Sequence, residues 1–407
     1  MAPSIRTAFG GGPASPLAGR TILQIIPELD AGGAERTTLD IAAALSDAGA
    51  RALVASDGGR LVSELQAKGG VWVDFPARTK NPLLMLLNAQ RLKRVIVTEK
   101  VDIVHARSRA PAWVAYAATR LTKTPFVTTY HGAYAGGSTL KTEYNSVMSK
   151  GDVVIANSEY TAGQIVRLYP QAQARVRVIP RGADFREFSA RSVDPARILH
   201  LRQAWGVPSD ARIVLLAARL TAWKGQRVLI EAAAQLMQGG LAGVMFVLAG
   251  DPQGRKAYMR EIDTLIAQHG LGEVVRRTGH CADRPAAYMA ASVVAVPSTE
   301  PEAFGRVAVE AQAMGTPVIV SELGAVPETV LAPPQAPAAA RTGWRVPAGD
   351  AAALAAALQE VLGLGASARE ALAHRARAHV EQHFSLERMT GETLDAYVAL
   401  LEGRGRG

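Results

Sequence analysis

The sequence predicts an α/β protein of two doubly wound parallel-sheet domains, and three observations carry that prediction. Short β-branched runs alternate with longer stretches of helical spacing over most of the 407 residues. The runs are continuously apolar, as strands covered on both faces of a parallel sheet must be. The pattern breaks after about residue 182 and restarts at 212, with too many strands for one sheet of this type.

In the first half the runs are TILQII (21–26), RALVAS (51–56), VDIVHA (101–106), PFVTTY (125–130), DVVIANS (152–158) and VRVIPRG (176–182). The second half has RIVLLAAR (212–219), VMFVLAG (244–250), VVAVPS (293–298) and PVIVSE (317–322). Between the first two runs, AERTTLDIAAALSDAG (34–49) has helical spacing and ends on Gly49, as a helix C-terminus does. The join is read at 181–211, where Pro195 and Pro208 bracket a short helical run, and 330–343 reads as a surface loop. A last helix starts near Ser385, a plausible cap, with Leu386, Met389, Leu394, Tyr397, Leu400 and Leu401 as its apolar members. Residues 1–19, rich in Gly, Pro, Ala and Ser and lacking the apolar region of a secretory signal, read as a disordered tail.

Composition narrows the function classes. With 48% apolar and 20% charged residues the chain is globular, and no run approaches the roughly 18 apolar residues of a membrane span. The single cysteine, Cys281, excludes an internal disulfide and a Cys-based metal cluster, and a cytoplasmic protein is expected. The net charge of +9 is uneven: residues 1–190 hold 23 Lys and Arg against 15 Asp and Glu, residues 191–407 hold 22 against 21. A basic first half suggests an anionic partner there, such as anionic lipid or a phosphorylated acceptor; the plain alternative is Arg-rich usage. Nucleic acid is not expected, since no reader motif or aromatic-interleaved basic stretch occurs.

Four features fall at strand ends, where open parallel sheets bind ligands and helix N-termini offer unpaired N–H groups. DAGGAER (30–36) opens a helix, and Gly32 and Gly33 allow close approach of a ligand to backbone, or make a plain turn. AARLTAWKGQ (217–226) carries Arg219 and Lys224, whose flat fork and point charge suit a diphosphate; the alternative is two solvated surface cations. In STEPEAFGRVAVEAQAMG (298–315), Glu302 and Glu310 lie eight apart on roughly one face of a mostly apolar helix. A carboxylate buried there needs a partner, either ligand hydroxyls or a structural cation. The turn before this helix aims the N–H groups of Phe304 and Gly305 toward a phosphate. In VTTYHG (127–132), His131 follows a strand and is suited to a sugar hydroxyl or developing charge, or to a structural role.

Together these motifs resemble, from about residue 21 to 402, the glycosyltransferase family 4 group of GT-B enzymes. AGGAERTTLDIA, TYHG, IPRGAD, AARLTAWKGQ, GHCADRPAAYMAASVVAVPS, the E-x7-E block, GAVPE and TGWRVPAGD follow in family order. The resemblance implies two Rossmann-like domains: an acceptor domain over 20–190, a donor domain over 191–384, and a helix at 385–402 returning to the first. It implies a retaining hexosyl transfer from a UDP- or GDP-sugar to a glycan or lipid-linked acceptor, in lipopolysaccharide or exopolysaccharide assembly, with no cofactor or obligatory metal. Arg219 and Lys224 would neutralise the departing diphosphate, Glu310 would hold the ribose, and Glu302 would contact the hexose. The N–H groups of Phe304 and Gly305 would meet sugar and phosphate, with Gly32 and Gly33 beside the phosphate. His131 would lie near the reaction centre, and the base would lie near Gly279 to Asp283. A sugar-nucleotide epimerase on the same architecture and a degenerate nucleotide-binding subunit are the alternatives. The helix TKNPLLMLLNAQRLKR (79–94) sets Leu83, Leu84, Met85, Leu86 and Leu87 before Arg91, Lys93 and Arg94. That pattern fits a helix lying on the anionic inner face of the plasma membrane, or a core helix with a cationic end.

Overall fold

A computed structural model describes residues 15–30, 32–132 and 138–404. Residues 1–14 of the expected tail lie outside the described residues. Residues 15–19 are ordered instead: they form a turn that buries Leu17, and the N–H of Gly19 donates to the carbonyl of Gly49 at 2.9 Å. An apolar side chain with a core to enter overrides the loop-forming composition around it.

The chain forms two compact units. The first holds residues up to Ala156, Ile165–Arg177, and the last helix from Thr390 onward; the second holds Asn157–Gln164 and Val178–Met389. The chain therefore enters the second unit at Val178, ahead of the boundary at 190 read from the sequence. The cause is local packing, since Ala183, Phe188 and Val193 are buried in the core of the second unit.

The first unit contains β1 (Thr21–Ile25), β2 (Arg51–Ser56), β3 (Val71–Asp74), β4 (Ile103–Ala106), β5 (Phe126–Tyr130), β6 (Val153–Ala156) and β7 (Val176–Val178). They lie in the order β3-β2-β1-β4-β5-β6-β7. The second unit contains β8 (Arg212–Ala217), β9 (Val244–Ala249), β10 (Val275–Gly279), β11 (Val293–Val296), β12 (Val318–Ser321) and β13 (Trp344–Val346), ordered β10-β9-β8-β11-β12-β13. The pairings of this second sheet are all parallel. In each sheet the order reverses once, between β1 and β4 and between β8 and β11. At such a point the loops leaving neighbouring strands diverge to opposite faces and open a crevice.

The continuous apolar runs are explained by burial on both sides. Val214 and Leu216 of β8 enter one core cluster, with Phe246 and Leu248 of β9. Ile213 and Leu215 enter the other, with Met245 and Val247. Alternate residues of a strand point to opposite faces, so both registers must be apolar. The helix Gly33–Asp47 ends as its sequence predicts, with Gly49 at φ +76°. Within the first unit the last helix, Leu386–Arg404, buries Thr393 and Tyr397, one turn apart. Tyr397 Oη lies 2.6 Å from His105 Nδ1, and His105 Nε2 lies 2.7 Å from Thr129 Oγ1. All three residues are buried.

Candidate active site

In the second unit, the loops leaving β8 and β11 meet at the point where strand order reverses. Gly225 has φ +74°, and a Cβ there would fall 1.8 Å from the carbonyl oxygen of Pro297, so this crossing admits only glycine. The N–H of Thr299 donates to the carbonyl of Trp223 at 2.8 Å and ties the loops together. That crossing brings Lys224 Nζ to 2.8 Å from Glu302 Oε1, with each side chain only 12% exposed. Trp223 presents its ring 4.2 Å from the same ammonium. Ser298 Oγ donates to Glu302 Oε1 at 2.5 Å. The backbone of Glu302 is fixed as well, since its carbonyl accepts from the N–H of Ala325 at 2.9 Å. Arg219 is exposed and forms no ion pair among the described residues, while its carbonyl accepts from Gln226 Nε2 at 2.9 Å. The two cations of the β8 loop thus differ: Lys224 is paired and largely sheltered, Arg219 open to solvent.

Glu310 is 1% exposed and fully partnered by protein. Arg284 Nη1 donates to both its oxygens at 2.7 and 2.9 Å, Arg306 Nε to Oε1 at 3.0 Å, and Tyr288 Oη to Oε2 at 2.8 Å. Of the two partners open from the sequence, the structural cation is the one present. Burial works against the charge of Arg284, yet the Glu310 carboxylate holds its guanidinium protonated above the usual arginine range. Burial, reinforced by Glu310, pushes the Tyr288 phenol well above its ordinary value.

The helix Arg306–Ala313 begins at Gly305, which has φ +91° and no side-chain cap. Its N-terminus therefore keeps its positive dipole end and N–H groups uncapped by any side chain. Phe304 is buried, with its ring edge-on to Phe384 at 5.5 Å, and this anchors the turn. Gly279, at φ +73°, ends β10, and no atom lies within 4 Å of a Cβ there. Asp283 caps the helix Arg284–Ala290 through the N–H of Ala286 and pairs with Arg197 at 2.7 Å. The hydrogen bonds from Arg197 hold the Asp283 carboxyl below its usual range. Burial raises the thiol of Cys281.

In the first unit, Gly32 is the N-cap of the helix Gly33–Asp47, with extended backbone; a Cβ there would meet Glu35 Oε2 at 2.3 Å. Ala31 of the same turn lies outside the described residues. His131 follows β5 and is half-buried. At this unit's own reversal point lies a cavity of about 880 Å³ lined by Pro27, Arg78, Lys80, Ser108, Arg109 and Tyr144, among others. Among the described residues no group of three or more His, Cys, Asp or Glu is gathered so as to hold a metal.

The sequence reading did not include Ser298, Trp223, Arg284, Arg306, Tyr288 or the cationic cavity. Three of these had a local signal: Arg306 one helical turn before Glu310, Ser298 four residues before Glu302, and Trp223 next to Lys224. Arg284 and Tyr288 reach Glu310 across 26 and 22 residues, through sheet topology.

Two family descriptions cover most of the chain: Glycosyltransferase Family 4 matches residues 31–187 and Glycosyl transferases group 1 matches 198–379. A D-inositol 3-phosphate glycosyltransferase of Saccharomonospora viridis is 34% identical over 316 residues, 73% of this chain and 69% of that protein. One of the same name from Catenulispora acidiphila is 36% identical over 194 residues, which is 46% of this chain and 45% of its own length. The fold superposes on a glycosyltransferase from Rickettsia africae with a TM-score of 0.85 at 33% identity, covering 94% of this chain and 99% of that one. It also superposes on Anabaena HepE in complex with UDP and glucose, with a TM-score of 0.81 at 26% identity, covering 93% and 100%. The order of motifs, the two parallel-sheet units and these matches agree: the chain belongs to the family 4 and group 1 glycosyltransferases of GT-B type and is a hexosyltransferase.

Proposed function

We propose that the chain is a retaining hexosyltransferase that takes its sugar from a UDP- or GDP-linked donor held by the second unit. The observation that carries this is the Lys224–Glu302 pair, fixed where β8 and β11 diverge and set beside the uncapped helix N-terminus at Gly305. Cleaving the donor builds negative charge on the departing diphosphate. Lys224, the open Arg219 and that helix end supply preorganised positive charge without a metal. Glu302, steered by Ser298 and Lys224, faces the hexose through its second oxygen. Glu310 serves the ribose with the arginines it already holds, and the base lies over Gly279 to Asp283. The likeness to HepE, solved in complex with UDP and glucose, supports UDP over GDP as the nucleotide of this chain's donor.

The acceptor is held by the first unit, where Gly32 and Gly33 open the first helix and His131 follows β5. The curated relatives carry inositol 3-phosphate in their names, where the motif resemblance alone implied lipopolysaccharide or exopolysaccharide assembly. The cavity with Arg78, Lys80 and Arg109 supports an acceptor that bears a phosphate, and the lone cysteine supports work in the cytoplasm.

The test is a thermal-shift series with UDP, GDP, ADP and their common sugars, with and without EDTA. UDP and UDP-sugars are expected to raise the melting temperature equally in both conditions, since ligand bound only by the folded state stabilises it. A folded sample that responds to none of them would contradict the proposal, and a shift abolished by EDTA would contradict its metal-free form.

A further inference from the structure

The helix Pro82–Thr98 divides into two halves of opposite character. Its C-terminal half buries Asn88, Ala89, Leu92 and Ile96 and packs against the helix Arg109–Thr122. Its N-terminal half stands out from the unit, with Leu83 75%, Leu84 48%, Leu86 63% and Leu87 56% exposed. The reading as a core helix with a cationic end does not describe this element. The leucine block is not in the core, and the last turn carries no basic residue. Nearly all the other large apolar residues this exposed stand singly along the chain; here four are gathered on one and a half turns.

Every charge in the segment that carries this tip is positive, and among the described residues only Arg78 is neutralised, by Glu28 and Asp57. Residues 75–98 contain Arg78, Lys80, Arg91, Lys93 and Arg94 and no Asp or Glu. Of these, Lys80, Arg91, Lys93 and Arg94 form no ion pair among the described residues. A stretch of leucines beside unneutralised Lys and Arg matches the boundary of an anionic bilayer, where acyl chains accept the leucines and lipid phosphates accept the cations. A second copy of the chain matches it poorly. A symmetric pairing through this helix would set the same cations against each other, since an isologous interface joins a patch to itself.

We propose that the leucine tip at Leu83–Leu87 inserts into the surface of an anionic membrane, with Lys80, Arg91 and Arg94 on the lipid phosphates. The helix runs back from the end of β3, so its N-terminal half lies at the same sheet edge as the cavity of Arg78 and Lys80. Seating the tip brings the mouth of that cavity to the bilayer surface. This proposal does not depend on which sugar or acceptor the enzyme uses.

The test is co-sedimentation of the full chain with vesicles of phosphatidylglycerol mixed with phosphatidylcholine, against vesicles of phosphatidylcholine alone. Binding is expected to the anionic vesicles only, and to weaken in about 0.5 M NaCl, where charges are screened within a few ångström. Two variants separate the contributions: Leu83→Ser with Leu86→Ser and Leu87→Ser removes the apolar anchor, and Arg91→Glu with Arg94→Glu removes the charge. Each is expected to cut the bound fraction more than about tenfold, because stable attachment needs both signals. The melting temperature of each variant is expected to stay at the wild-type value, because all five side chains are exposed. A wild-type protein left in the supernatant with anionic vesicles would overturn the proposal. So would variants that sediment as well as wild type, or a wild-type dimer that the serine variant dissociates while vesicles bind neither.

Discussion

Glu302 and Glu310 occupy one short segment, yet the structure gives them different tasks. Glu302 keeps one oxygen on Lys224 and Ser298 and a partly open environment, whereas Glu310 has each oxygen engaged twice by Arg284, Arg306 and Tyr288. A buried carboxylate so enclosed is a structural fixture, whatever it also offers a ribose. Glu310→Gln is therefore expected to lower stability by about 3 kcal/mol, because removing one partner of a buried pair leaves charge without compensation. Chemical denaturation measures this, and a midpoint at the wild-type value would contradict the assignment. The residue types of the site were legible in the sequence, but their pairings were only partly so. Lys224 and Glu302 are 78 positions apart and meet only because β8 and β11 are neighbours; Arg306 and Glu310, one turn apart, could have been paired from the sequence.

Among elements, the central strands were legible, as was the edge strand β7, but the other three edges were not. β1, β2, β8, β9, β11 and β12 are continuous apolar runs because both faces are covered. β3, β10 and β13 were missed, and each is the outermost strand of its sheet. Such strands are short and half-exposed, as in VWVD and VRRTG, and lack the run that marks a buried one. A polar element of the core was also missed. His105 of β4 joins Thr129 of β5 to Tyr397 of the last helix, and burial, with Arg107 nearby, holds its imidazole well below the usual pKa. The unfolded chain protonates this histidine near pH 6.5 and the folded chain does not, so below that value the unfolded state binds more protons. Stability is thus complete above about pH 6.5 and is lost as pH falls from there toward the lower folded value. The denaturation midpoint is expected to be level from pH 7 to 8 and to drop from 6.5 to 5, with His105→Gln showing a shallower drop. His379, brought down to about 4 by burial and His383, supplies part of the slope that remains. An unchanged slope in the variant would contradict this account.

At the scale of the whole molecule, the proposed function places donor and acceptor in separate units, each with its own reversal of strand order and its own cationic loops. The asymmetry of charge between the two halves fits that division: the second half balances 22 Lys and Arg with 21 Asp and Glu and sets Arg219 and Lys224 at one loop crossing, while the basic first half places cations around a cavity and along an exposed helix. The fold and its division into two units were legible from apolar runs and motif order. The exposed half of Pro82–Thr98 was not decided by sequence, because the same leucines suit a core until a structure shows which half is buried. On the proposed function, Lys224, aided by Arg219, carries the charge of the departing diphosphate. This role is tested most directly by measuring hexosyl-transfer turnover of Lys224→Ala and Arg219→Ala with a UDP-sugar, alongside their melting temperatures. Each variant is expected to lose about 10²–10³ in turnover, as removal of one preorganised donor does, with folding intact. Turnover near the wild-type rate in both well-folded variants would contradict it.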